Sequence, residues 1–231
     1  MSIADNLTAI RSRIAAIAHD WNRDPATISL IAVSKTHPVE AVEEALAAGQ
    51  HVFGENRVQE AAAKFPALRK THSLELHLIG PLQTNKVKEA VALFDVIQTV
   101  DRRKLAEALA AEYRRQQRSL PCYIQINTGE EPQKAGIPPA EADEFIRYCR
   151  QKLALPVRGL MCIPPAEQHP GPHFALLREI GRRHDLTDLS MGMSGDYELA
   201  IQFGATAVRV GTAIFGTRSN APADAPTVSD K

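Results

Sequence analysis

The stretch SLIAVSKTHP, residues 29–38, decides the fold. Leu30, Ile31, Ala32 and Val33 make an unbroken apolar run, the pattern of a parallel strand buried on both faces. Ser34 and Lys35 close that run, and a helix can start at Pro38. A strand feeding directly into a helix is a βα unit. The lysine at the junction stands out, because a charge at the mouth of an apolar strand is costly unless something uses it.

Outward from this unit the same alternation repeats. Strands are expected at 29–34, 51–53, 74–79, 96–99, 122–127, 157–162, 189–191 and 207–210. Helices are expected between them at 39–48, 57–68, 85–93, 102–117, 140–153, 173–184 and 197–202. Gly49 and Gly204 fall where helix C-caps belong, and Asp101 reads as an N-cap. Ahead of the first strand, Ile3, Leu7, Ile10, Ile14 and Ile17 line one face of a leading helix. Eight strands with helices between them predict an α/β fold, a single (β/α)8 TIM barrel with an extra N-terminal helix, over residues 1–218. An open doubly wound sheet would use the same alternation. Residues 219–231, SNAPADAPTVSDK, are polar and rich in Pro and Ala, and read as a disordered tail.

Composition narrows the function. The chain has 231 residues, 44% of them hydrophobic, enough for one sizeable core. Lys+Arg and Asp+Glu are both 27, so no global charge points to nucleic acid or an anionic membrane. Cys122, Cys149 and Cys162 lack metal-ligand spacing, and an odd number argues against a disulfide framework. A reducing cytoplasm is the expected setting. No secretory leader and no membrane-length apolar run is evident.

In such a barrel the chemistry belongs at the C-terminal ends of the strands. Lys35 ends the first strand. Partly desolvated there, its amine would be expected to lose basicity and act as a nucleophile that forms Schiff bases with aldehydes; the alternative is a lysine that snorkels to water or pairs with an acid. MGMSGD (191–196) and VRVGTAIFG (208–216) follow the seventh and eighth strands, where barrels often bind phosphate. Ser194, Gly211 and Thr212 offer hydroxyl and backbone N–H donors there, although tight βα turns use the same residues. Arg209 either pairs with a carboxylate inside the barrel or aims a donor into the pocket. His77 is a core or rim histidine or a pocket residue. Asn56 is a pocket donor or the cap of the next helix. Glu130, Glu131 and Lys134 read as a solvated loop. An imine-forming lysine beside a phosphate cup calls for a phosphorylated aldehyde, which is either pyridoxal 5′-phosphate or the sugar phosphate of an aldolase.

Seven ordered blocks bear on that choice: AVSKTHP, FGENRVQEA, HLIGPLQTNK, INTGEEPQKAG, RGLMCIPP, LSMGMSGDYELAI and VRVGTAIFG. Together they resemble the pyridoxal phosphate homeostasis protein family over about residues 5–217. The resemblance implies a (β/α)8 barrel similar to the N-terminal barrel of alanine racemase. It implies that Lys35 holds pyridoxal 5′-phosphate as an internal aldimine. Ser194, Gly211 and Thr212 would bind the phosphate, Arg209 would face the pyridine nitrogen, and Asn56 and His77 would line the pocket. Arg57 departs from the family, which often has an aromatic residue there. An arginine at the ring nitrogen stays protonated and leaves the pyridine a weak electron sink. The expected function is therefore a cytoplasmic carrier in pyridoxal phosphate homeostasis that passes the cofactor to apo-enzymes, a monomer without nucleic-acid or membrane partners. A weak or narrow amino-acid racemase is the alternative. It would need a second acid/base group that Tyr113, Tyr123, Tyr148 and Tyr197 do not obviously supply.

Overall fold

A computed structural model describes residues 2–216. The expected tail, 219–231, lies outside the described residues. Eight parallel strands close a barrel in sequence order: β1 (Ser29–Val33), β2 (Val52–Glu55), β3 (Glu75–Leu78), β4 (Val96–Val100), β5 (Cys122–Ile126), β6 (Val157–Cys162), β7 (Asp188–Met193) and β8 (Ala207–Val210). The ring closes where Leu30, Ile31 and Ala32 pair with Val208, Arg209 and Val210. An open sheet is thereby excluded. The helices are α1 (Ile3–Asp20), α2 (Val39–Ala47), α3 (Val58–Leu68), α4 (Val87–Leu93), α5 (Arg103–Gln116), α6 (Ala142–Arg147), α7 (Gly171–Arg183), α8 (Tyr197–Gln202) and α9 (Thr212–Phe215).

Local chemistry accounts for the leading helix. The Ser2 hydroxyl accepts the Asp5 N–H at 3.1 Å, and Asp5 Oδ2 accepts the Ser2 N–H at 3.0 Å, a reciprocal cap. Leu7, Ile10, Ile14 and Ile17 are buried, and the helix lies against α2, α8 and α9, beside the β8–β1 seam. Each barrel strand turns alternate residues to the helices and to the lumen. Leu30 and Ala32 join the core shared with the helices. Ile31 faces inward: a Cβ on Gly54 would meet its Cγ2 at 3.0 Å and Ile79 Cδ1 at 2.9 Å. Removing such a buried aliphatic side chain costs about 2–5 kcal/mol.

Some boundaries differ from the sequence reading. The second strand runs on through Gly54 and Glu55, because Glu55 still pairs with Leu78 of β3. The expected helix at 140–153 is composite, a short α6 continued by a π-helical stretch, Tyr148–Lys152, with the Leu153 N–H reaching the Tyr148 carbonyl. Asp101 is not the N-cap of α5. Arg102 holds that position without a side-chain cap bond, and the Asp101 carboxylate takes the Arg102 guanidinium instead. Gly49 and Gly204 do follow their helices with φ of +76° and +101°, as helix-terminating glycines do. Among the described residues no helix is long and apolar enough to cross a membrane.

Candidate functional site at the C-terminal mouth of the barrel

Lys35 sits in a four-residue turn after β1, closed by the His37 N–H on the Ser34 carbonyl at 3.2 Å. The next residue, Thr36, has φ of +64°, a left-handed conformation that β-branched residues avoid. Three charges, Glu55 and Lys64 buried and Glu60 half-buried, hold the turn. The Lys64 ammonium donates to the Ser34 carbonyl at 2.9 Å and the His37 carbonyl at 3.3 Å. The Glu60 carboxylate accepts the Thr36 N–H. Glu55 accepts the Ser34 hydroxyl at 2.7 Å and pairs with Lys64 at 2.6 Å. Burial pushes the Glu55 carboxyl above its usual range, against the pull of Lys64, and its Oε2 is buried without a hydrogen-bond partner among the described residues. Lys35 itself is half-buried, and its amine has no ion pair or hydrogen bond among the described residues. The pairing alternative for this lysine therefore goes to Lys64.

The loops after β7 and β8 meet beside this turn. Ser194 Oγ accepts the Gly211 N–H at 3.3 Å. A Cβ on Gly211 would press on the Val33 carbonyl oxygen at 3.2 Å, so a glycine lets the β8 loop close against the end of β1. His37 stacks on Phe215 of α9 with ring centroids 5.0 Å apart, which ties the lysine turn to the segment begun by Thr212. A Cβ on Gly195, the residue after Ser194, would meet nothing within 4 Å, so this loop borders open space.

Arg209 is buried, 4% exposed, and pairs with no carboxylate among the described residues. Its guanidinium donates to Ser190 Oγ at 2.7 Å and to the Cys162 carbonyl at 2.8 Å, and burial lowers its pKa. Asn56 is half-buried after β2 and caps nothing, since α3 begins behind Arg57 without a side-chain cap. With Arg57, Pro81, Gln83 and Lys86 it lines a cavity of about 510 Å³. His77 faces the other end of the barrel. Its Nε2 bonds Glu75 at 2.7 Å, its Nδ1 bonds Gln98 at 2.7 Å, and it lines a cavity with Ser29, Asp188 and Ala207 at the starts of their strands. The Glu130–Glu131 loop is closed by Asn127 Nδ2 on the Glu131 carbonyl at 2.9 Å and by a Glu131–Lys134 ion pair at 2.6 Å.

Lys35, Ser194, Gly211 and Thr212 thus share one rim, with Arg209 just below it in β8. Glu55, Glu60 and Lys64 escaped the sequence reading. Their trace was the Glu60–Lys64 spacing of four and a carboxylate closing β2. Gln98 and Ser190, which serve Arg209, showed only as polar residues inside apolar strands.

A closed eight-stranded parallel barrel with a lysine after its first strand, and hydroxyl and glycine N–H donors after its last two, gathers its candidate site at the C-terminal ends of the strands. The sequence matches the alanine racemase N-terminal domain family over residues 6–219. The chain is 42% identical over 227 residues to the pyridoxal phosphate homeostasis protein of Escherichia coli (strain K12), covering 94% of this chain and 97% of that one. It is 42% identical over 228 residues to the Pseudomonas aeruginosa protein so named, covering 96% and 99%. The chain belongs to the pyridoxal phosphate homeostasis protein family. PipY of Synechococcus elongatus PCC7942, solved with PLP bound, superposes with a TM-score of 0.81 at 40% identity, covering 93% of this chain and all of that one. Alanine racemase of Clostridium difficile 630, at 14% identity and TM-score 0.69, shares the fold; 95% of this chain covers 58% of that one.

Proposed function

We propose that the protein binds pyridoxal 5′-phosphate through Lys35 and serves as a carrier in pyridoxal phosphate homeostasis. The observation that carries this reading is the Lys35 amine, without a hydrogen bond or ion pair among the described residues, on the same rim as the Ser194–Gly211 pair. The donor set fits the cofactor. A primary amine suits its aldehyde, and a hydroxyl with glycine N–H groups around open space suits its phosphate. The bound cofactor supplies an electrophilic carbon that primary amines capture.

The chain's own residues would do the rest. Lys64, Glu60 and Glu55 fix the turn that presents Lys35. Ser194, Gly211 and Thr212 would hold the phosphate end. Arg209 would offer a permanent donor at the ring, where a carboxylate would instead stabilise a protonated pyridine and strong carbanion chemistry. Asn56 would border the pocket, and His77 would act at a distance from it. The four tyrosines are engaged with other groups: Tyr113 donates to the Leu120 carbonyl at 3.1 Å, Tyr148 to Glu107 at 2.7 Å, Tyr123 lines the opposite end of the barrel, and Tyr197, at the start of α8, is engaged with Glu198. That placement favours a carrier over a racemase. Release to apo-enzymes in the cytoplasm would require the Lys35 amine to give the cofactor up to a competing amine, and a single chain suffices for each of these roles.

The test is borohydride reduction of the protein loaded with pyridoxal 5′-phosphate, followed by peptide mapping. One adduct on Lys35 is expected, and Lys35→Ala should lose both adduct and yellow colour. An adduct elsewhere, or none, overturns the reading. Chiral analysis of L-amino acids should show no Lys35-dependent turnover; such turnover would establish the racemase instead.

A further inference from the structure

Arg209 carries a charge into the barrel lumen with no carboxylate in contact among the described residues, a costly arrangement unless the charge is compensated further away. Its partners run in a line across the lumen. Arg209 Nη1 lies 2.7 Å from Ser190 Oγ, Ser190 Oγ 2.6 Å from Gln98 Oε1, Gln98 Nε2 2.7 Å from His77 Nδ1, and His77 Nε2 2.7 Å from Glu75 Oε1. Ser190 and Gln98 are fully buried, whereas the Glu75 side chain is 46% exposed at the far end of the barrel.

The direction of every bond follows from the first. A guanidinium only donates, so Ser190 accepts from Arg209 and must spend its own proton on Gln98 Oε1. That turns the Gln98 amide N–H₂ to His77, whose Nδ1 must accept. The imidazole then carries its proton on Nε2 and gives it to the Glu75 carboxylate, and the neighbouring histidine holds that carboxyl below its usual range. Four bonds point one way, from a buried cation to a carboxylate. Hydrogen bonds aligned like this polarise one another in a low-dielectric interior.

We propose that Ser190, Gln98, His77 and Glu75 are positioning residues: a one-way hydrogen-bond relay that fixes Arg209 and couples the ligand-side guanidinium to a carboxylate at the opposite end of the barrel. The relay deepens the cofactor reading and, for its binding readout, rests on it. Its effect is to set the place and donor strength of Arg209 from a face the ligand never touches.

Nitrogen NMR of His77 in the ligand-free protein tests the relay directly. A neutral ring protonated on Nε2 is expected; a proton on Nδ1 overturns the relay. Titration with pyridoxal 5′-phosphate is the second measurement. Glu75→Gln, at the exposed end, should weaken retention by about threefold to tenfold and shift the absorption maximum while the Lys35 adduct still forms. Gln98→Leu should act in the same direction. Parent-like affinity and spectrum in Glu75→Gln overturn the proposal even if Gln98→Leu fails to fold. If the parent protein takes up no cofactor, the carrier reading falls while the tautomer of His77 still decides the relay.

Discussion

The Lys64 ammonium lies 2.6 Å from Glu55 Oε1, with the lysine side chain 9% exposed and the glutamate side chain fully buried. Neither charge is free to find water if the other is removed. Lys64→Met should therefore destabilise the fold by about 3–5 kcal/mol, read by chemical denaturation. A Lys64→Met/Glu55→Leu double variant should recover much of the loss, because an apolar pair leaves no orphaned charge. The sign of the pH dependence follows from Glu55, whose folded pKa is raised by burial. Between the unfolded value of 4.5 and the folded one, the native state binds the extra proton. This contribution is fully present below 4.5 and is lost as pH rises through the folded pKa. Without Lys64 the loss should deepen, so the gap between variant and parent should widen as pH rises above about 4.5. A gap independent of pH would show that Glu55 is not the group left stranded.

Thr36 supplies a second test of the lysine turn. Its φ of +64° costs on the order of 1 kcal/mol relative to glycine, and its side chain is exposed, so little packing is lost on truncation. Thr36→Gly should leave thermal stability unchanged or raised by a few degrees. The same change loosens the backbone next to Lys35, so capture of the aldehyde should slow. A variant that is less stable than the parent would mean that the threonine side chain makes a contact worth more than the strain.

The barrel was legible because its signal is local. SLIAVSKTHP holds a strand, a turn and a helix start within ten consecutive positions, and β6, α8 and β8 fall where the apolar runs place them. That Lys35, Ser194 and Gly211 would share one rim was legible because they follow strand ends, and strand ends of one barrel face lie together whatever the loop sequence. The partners were not legible, because they act across sequence distance. Ser190 and Gln98 are 92 positions apart, and Lys64 lies 30 positions from the carbonyl it holds. His77 misled for a related reason. Alternation places it inside the barrel but does not say toward which end its ring turns, and Glu75, two residues earlier, draws it to the far one.

The three cysteines give an independent check on burial. Cys122, Cys149 and Cys162 are buried and free. Burial pushes all three thiols up, to about 12 for Cys149 and Cys162. The thiolate is the reactive form, so the native protein should give no reaction with a thiol reagent at pH 8 on the time scale of minutes, and all three should react in denaturant. A thiol that reacts rapidly in the folded protein would place one of these strands or helices at the surface.

The Ser194–Gly211 bond at 3.3 Å is long for a hydrogen bond between neutral groups, so breaking it to serve an anion costs little. A phosphate in the open space beside Gly195 would take the Gly211 N–H and the Ser194 proton together, each as a charge-assisted bond stronger than the one given up. Ser194→Ala removes one of these donors and leaves the Lys35 turn untouched. Retention of pyridoxal 5′-phosphate should fall by about tenfold, measured by equilibrium dialysis, with the reduced adduct still on Lys35. Inorganic phosphate should compete with the cofactor in the parent and less well in the variant. Equal retention and equal competition in the two proteins would remove Ser194 from the phosphate cup and leave the loop after β8 to bind the anion by itself.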